Sequence, residues 1–254
     1  MLQNLLRALF ALVIVLAATG AAQADILAKS VTYTVDDHSY QGYFVRNTAL
    51  GDQQPVVLII HDWNGLDRYE KRRARMLARQ GYAAFAADLY GQGVRPNTLA
   101  EKKARSGALF RDRAEMVRRL QGAVAQLAEL PDVNADQVVA IGYCFGGTAV
   151  LELARSGTSL NGFVAFHAGI AMPKANFSRV QAPLLILQGS DDAAAPMSRI
   201  ATLATTLNEA GVDYRMEIYG GAPHAFTVWS SDRYRPKADL ASWHELMTFL
   251  DERL

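Results

Sequence analysis

The run Gly142-Tyr143-Cys144-Phe145-Gly146 has the residue types and spacing of a nucleophile held on a tight strand-to-helix turn. An apolar stretch over 138–141 precedes it and an Ala/Leu-rich stretch follows. Small residues on either side of the central position admit the close backbone approach that such a turn demands. Cys144 is the lone cysteine of the chain, so it has no internal disulfide partner. Composition alone would make it a small buried hydrophobe, but its neighbours favour a thiol kept for chemistry. The following helix would help twice, its dipole favouring a thiolate and its first N–H groups stabilising an oxyanion. A phosphate-binding loop is the competing reading of a glycine-rich turn. It needs Lys before Ser/Thr, whereas Gly147 precedes Thr148, and the dinucleotide pattern G-x-G-x-x-G is not matched.

A thiol nucleophile on such a turn requires an acid and then a histidine, in that chain order. Strand-like residues 183–188 lead into Gly189-Ser190-Asp191-Asp192, and Asp192 is the expected acid. Asp191 is the competing carboxylate, one of the pair being available to cap a helix that starts near Met197. The next strand-like run ends in Gly220-Gly221-Ala222-Pro223-His224-Ala225-Phe226, which puts His224 on a constrained loop as the general base, with Phe226 as its anchor. His38 and His244 read as surface residues. His61 and His167, each at the end of an apolar run, read as structural, with pocket lining the alternative for His167. There is no His-x-x-x-His pair and no cysteine cluster, so neither a metal nor another cofactor is expected.

The elements that must position these groups follow from periodicity. Alternating polar and apolar residues over 29–35 and 40–46 predict an opening hairpin around Asp36-Asp37. Short apolar runs at 56–61, 83–87, 137–142, 162–167, 183–189 and 214–219 predict buried strands. Helices are expected over 67–80, 145–154, 197–210 and 240–254, and one or two more over 99–130. Alternating strands and helices imply an α/β fold with a mainly parallel central sheet and helices on both faces. In such sheets ligands sit beyond the C-terminal ends of the strands, where nearly all the reactive groups fall. With the turn over 142–146 and the later acid and histidine, this arrangement resembles an α/β-hydrolase fold. It places the oxyanion hole at the N–H groups of Phe145 and Trp63, the latter in the loop His61-Asp62-Trp63-Asn64-Gly65.

The first residues belong to a different class. Residues 1–7 carry one positive charge, 8–18 are almost wholly apolar, and Ala22-Gln23-Ala24 is a small-residue cleavage site. That order predicts a secretory signal over 1–24, cut before Asp25, and a secreted or periplasmic protein; an uncleaved anchor is the alternative. The remaining 25–254 is expected to be one hydrolase domain. Without Arg7 it carries 25 basic and 25 acidic residues, leaving no single-sign field to attract nucleic acid or an anionic membrane.

Gly142-Tyr143-Cys144-Phe145-Gly146-Gly147, Asp88-Leu89-Tyr90 and Pro223-His224-Ala225-Phe226 together resemble the dienelactone hydrolases, or carboxymethylenebutenolidases, over most of residues 25–254. The resemblance implies hydrolysis of a small ester or lactone. It also implies that an acid after the third strand, here Asp62 where the better-known enzymes carry Glu, activates the resting thiol. Members acting on dienelactone hold its carboxylate with two arginines. One stands four residues after the histidine, where this chain has Val228; for the other, Arg105, Arg111 and Arg113 are candidates. The resemblance therefore supports hydrolysis of an ester or lactone and does not support dienelactone itself as the substrate. Two rivals are a hydrolase of another acyl class (thioester, peptide) and a non-catalytic small-molecule binder on the same scaffold.

Overall fold

The structure is a computed structural model describing residues 25–172 and 176–254; the expected signal at 1–24 lies outside the described residues. The chain opens with β1 (Ile26–Val35) and β2 (His38–Asn47), an antiparallel hairpin closed by Asp36-Asp37. Asp36 takes φ 51°, a left-handed conformation that Asp tolerates in tight turns. There follow β3 (Gln54–Ile60), α1 (Arg68–Arg79), β4 (Ala83–Ala87), α2 (Leu99–Arg111), α3 (Arg113–Ala125), β5 (Val133–Tyr143) and α4 (Phe145–Arg155). The rest is β6 (Gly162–Phe166), β7 (Leu184–Gly189), α5 (Met197–Glu209), β8 (Tyr214–Tyr219) and α6 (Pro236–Arg253).

The strands form one sheet in the order β1-β2-β4-β3-β5-β6-β7-β8, parallel from β4 to β8. β4 lies on one side of β3 and β5 on the other, so the winding direction reverses between β3 and β5. A crevice opens at the carboxyl ends of strands at such a reversal. His61-Asp62-Trp63 leaves β3 there and Cys144 leaves β5 there.

Both faces of the sheet are covered. Val56, Leu58 and Ile60 of β3 pack with Leu109, Leu120 and Val150 on one side. Val57 and Ile59 pack with Leu77, Leu246 and Phe249 on the other. Each fully buried Leu, Ile or Phe contributes about 1.5–3 kcal/mol relative to exposure, so the sheet is a rigid platform for the loops above it.

Three boundaries depart from the sequence reading. The 99–130 stretch breaks at Asp112, whose N–H bonds Ala108 O at the end of α2 while its Oδ1 accepts Glu115 N–H at 2.9 Å to cap α3. β5 begins at Val133 rather than 137, through a register shift opposite Pro55/Val56 that lets polar Asn134 and Asp136 enter the strand. α6 begins with Pro236 at its first turn, four residues earlier than the apolar pattern indicated, because proline's fixed φ suits a helix start.

Candidate active site

β5 and α4 meet at Cys144, which takes φ 55°, ψ −112°, a conformation that side-chain-bearing residues hold only when their surroundings force it. The forcing is visible in the glycines. A Cβ on Gly142 would lie 2.1 Å from Gly146 O, and one on Gly146 would lie 2.2 Å from Ile60 O. The turn therefore closes only with glycine at both positions. α4 has no side-chain cap at Cys144, so no capping side chain takes up the N–H groups of its first turn.

The acid and histidine loops are fastened to each other. Ser190 N–H donates to Tyr219 O (3.0 Å), Asp191 N–H to Ala222 O (3.1 Å) and Gly221 N–H to Ser190 Oγ (2.7 Å). Buried Phe226 anchors the histidine loop, its ring 5.4 Å from that of His167. His224 Nε2 stands 3.0 Å from Cys144 Sγ, and His224 Nδ1 is 2.9 Å from Asp192 Oδ2. Asp192 is buried, and its other contacts are Gln188 Nε2 (2.6 Å) on Oδ2 and the amides of Ala194 (2.8 Å) and Ala195 (3.2 Å) on Oδ1. Asp191 is exposed and meets Ser190 Oγ instead. Burial opposes a charge on His224, but hydrogen bonds to Asp192 and Cys144 outweigh it and push its pKa up to about 10.

A small pocket of about 160 Å³ opens over the thiol. Its walls are mainly apolar: Trp63 and Phe145 on one side, Phe110 from α2 and Ala194 on others. Phe110 and Ala194 were missed in the sequence, where no local signal marks a helix residue or an alanine as a pocket wall. Arg105, Arg111 and Arg113 are absent from its lining; Arg113 pairs with Glu152 and donates to Ala171 O at 2.6 Å. Tyr90 of the Asp88-Leu89-Tyr90 motif donates its hydroxyl to Trp63 O at 3.2 Å, holding that loop against the pocket. Asp88 is buried and accepts the amides of Tyr90 (3.0 Å) and Gln41 (3.2 Å), a structural bolt.

Asp62 is engaged differently from the expectation. Its carboxylate oxygens accept Asn64 N–H at 2.6 Å and Asn64 Nδ2–H at 2.8 Å, closing a turn that an aspartate side chain is the right length to make. It lines a separate cleft of about 380 Å³ with Arg68, Arg72 and Val228, next to the Cys144 pocket rather than in it. Burial raises its pKa to about 7, with the Asn64 bonds acting in the opposite direction. His61 is buried and structural: Nε2 accepts Leu89 N–H (3.1 Å), which leaves Nδ1–H to donate to Asp62 O (2.6 Å). His38 and His244 are exposed on β2 and α6.

A mainly parallel sheet wound from both sides, with a strained residue at the β5–α4 turn and acid and histidine on later loops, defines an α/β-hydrolase. Residues 40–254 match the model of the dienelactone hydrolase family, and the chain belongs to that family. A Synechocystis sp. protein provisionally named a carboxymethylenebutenolidase is 25% identical over 91% of this chain and 98% of its own. A Bradyrhizobium protein provisionally named a 2-oxo-3-(5-oxofuran-2-ylidene)propanoate lactonase is 25% identical over 82% of this chain and 87% of its own. Among solved structures, a dienelactone hydrolase-like promiscuous phosphotriesterase from metagenomic libraries is similar at TM-score 0.85 and 30% identity, covering 90% of this chain and 98% of that one. Membership makes the protein a hydrolase of the ester and lactone class.

Proposed function

We propose that the protein hydrolyses a small, uncharged ester or lactone through a thioester on Cys144. The observation that carries this reading is the unbroken contact line from Cys144 Sγ through His224 to Asp192, at 3.0 and 2.9 Å, on a strained turn. The thiolate attacks the carbonyl carbon, and the N–H groups of Phe145 and Trp63 take the charge that develops on oxygen. His224, as imidazolium, gives its Nε2 proton to the departing alkoxide, which leaves as the alcohol. Water then attacks the thioester; His224 accepts its proton, the acid departs and the thiolate is restored. For a lactone the alcohol stays on the acyl chain and both steps yield one hydroxy acid.

The apolar lining and volume of about 160 Å³ support a small neutral acyl group, and the cations lie in neighbouring clefts. Turnover of a panel of small activated esters and lactones, with intact-protein mass spectrometry after rapid acid quench, tests the reading. An acyl adduct located on Cys144 is the expected result. Turnover with no adduct on Cys144 under any substrate, alongside adduct on another residue, would overturn it.

Residues 1–24 are proposed to direct export and then be removed. The charge, apolar run and Ala22-Gln23-Ala24 order support this, and among the described residues no helix is long and apolar enough to cross a membrane. N-terminal sequencing of exported protein should begin at Asp25; full-length chain in the membrane fraction is the contrary outcome.

A further inference from the structure

Beneath the catalytic groups lies a line of buried polar side chains that the proposed chemistry does not use. His167, Thr227, Tyr69, Arg73 and Asp239 are all buried, yet they come from segments far apart in the chain. A group of this kind is costly unless every member finds a partner. His167 Nδ1 accepts the N–H of Cys144 at 3.1 Å, a proton shared with Phe166 O at 3.0 Å. A ring nitrogen that accepts carries no proton, so neutral His167 bears its proton on Nε2 and donates it to Thr227 Oγ1, 2.9 Å away. Thr227 Oγ1 lies 2.7 Å from the Tyr69 hydroxyl, whose oxygen accepts Arg73 Nε–H at 3.2 Å. Arg73 also donates to Thr227 O at 3.2 Å and pairs with Asp239.

The line thus runs from the amide of Cys144 to the backbone of Thr227, three residues beyond His224. Its ends coincide with strain. Cys144, His167 and Ala225 have φ of 55°, 37° and 65°, a region that costs non-glycine residues of order 1–3 kcal/mol each and persists only where surroundings over-determine it. His167 is also a second imidazole, its ring 5.3 Å from that of His224. Burial first, and the neighbouring His224 cation second, hold its pKa well below the usual range, so it stays neutral beside the acid–base residue.

We propose that His167 and Thr227 are positioning residues that lock the nucleophile turn and the histidine loop into one register, holding Cys144 Sγ against His224 Nε2. This rests on the reading of Cys144 and His224 as nucleophile and acid–base group. Neither His167 nor Thr227 lines the pocket over the thiol, so they act through Cys144 and the histidine loop and not by touching substrate.

Three variants test the brace: Thr227→Val, which is isosteric and leaves His167 Nε2–H without its acceptor; Thr227→Ser, which keeps the hydroxyl; and Tyr69→Phe, which removes only the distal hydroxyl. The readouts are kcat and KM on an activated ester, and the rate at which iodoacetamide alkylates the single cysteine at one fixed pH. Misplacing a catalytic pair by a fraction of an ångström to an ångström costs up to about 10²-fold, so Thr227→Val should lower kcat by about 10- to 100-fold with KM within about twofold. Its alkylation should slow, because the sulfur is no longer held against His224 Nε2. Thr227→Ser should restore both readouts, and Tyr69→Phe should fall between Thr227→Val and wild type. If Thr227→Val does not fold, His167→Asn provides the same comparison, since its amide oxygen can still accept the Cys144 N–H but cannot reach Thr227. Wild-type kcat and alkylation rate in folded Thr227→Val and Tyr69→Phe, with only thermal stability reduced, would reduce the network to a structural one and overturn the proposal. Cys144→Ala run in parallel separates the two levels. Turnover surviving in that variant sinks the nucleophile reading itself, whereas an inactive Cys144→Ala beside wild-type Thr227→Val sinks only the brace.

Discussion

Cys144→Ala is expected to lower kcat/KM on a small activated ester by about 10⁴- to 10⁶-fold, the range over which loss of a covalent nucleophile reduces hydrolases that use one. The change removes a single sulfur from a partly exposed position, so little packing is lost and the melting temperature should stay close to wild type. The residual rate would come from the pocket and the N–H groups of Phe145 and Trp63, which can still polarise a bound carbonyl toward water. His224 would feel the loss too. Two of the influences that raise its pKa come from Cys144, a hydrogen bond and a charge, so without the sulfur that pKa should fall from about 10. Steady-state kinetics on one ester, with a thermal melt of the same sample, decides the matter. A folded variant with kcat/KM within about tenfold of wild type is incompatible with covalent catalysis at this position.

How much of this arrangement can be read from sequence depends on the range over which each feature is encoded. The Cys144 turn is local: an apolar strand, glycines two residues either side of Cys144, and an Ala/Leu-rich helix all lie within about twenty residues, and each reports on the same steric demand. The order of acid and histidine is encoded almost as locally, because every parallel strand ends on the same side of the sheet. Asp192 could be preferred over Asp191 only weakly from sequence, since which of two adjacent carboxylates turns inward depends on the amides of Ala194 and Ala195. Asp62 shows the same limit from the other side. Its position along the chain matched an expectation of contact with the thiol, while its side-chain length and Asn64 two residues on close a local turn and leave it facing a different cleft. The buried line through His167 is the least legible of all. Its longest contacts join residues 60, 158 and 166 positions apart. Tyr69 and Arg73 are four apart on α1 and share a window, but nothing in that window points to His167, Thr227 or Asp239.

Asp192→Asn should lower kcat/KM by about 10⁴-fold while leaving the fold intact, and the reason lies in which way the new amide must turn. Oδ1 of Asp192 accepts two backbone N–H groups, from Ala194 and Ala195, and these cannot rotate away. The asparagine oxygen is therefore obliged to stay at that position, which puts its NH₂ where Oδ2 now receives His224 Nδ1 and Gln188 Nε2. Gln188 can answer by flipping its own amide. His224 can answer only by giving up the proton on Nδ1, and the neutral tautomer that results carries its proton on Nε2, facing the sulfur. That ring cannot accept a proton from Cys144 or from the water of the second step. The pH profile supplies an independent check. In wild type the raised His224 pKa keeps the imidazolium through neutral pH, so the basic limb of kcat/KM should fall as pH rises through about 10; in Asp192→Asn that limb should move to lower pH. Stability follows the same sign. A histidine whose pKa is higher folded than unfolded adds stability that is fully present below its ordinary value near 6.5 and lost as pH rises through about 10. The deficit of Asp192→Asn in urea unfolding should therefore be largest in mildly acidic buffer and shrink as the pH approaches 10. Asp191→Asn is the matched control and should behave as wild type throughout, because that carboxylate is exposed and, among the described residues, its side-chain hydrogen bond is to Ser190 Oγ. If Asp191→Asn rather than Asp192→Asn carried the loss of rate and the shifted basic limb, the orientation of His224 would have to be assigned to the outer carboxylate.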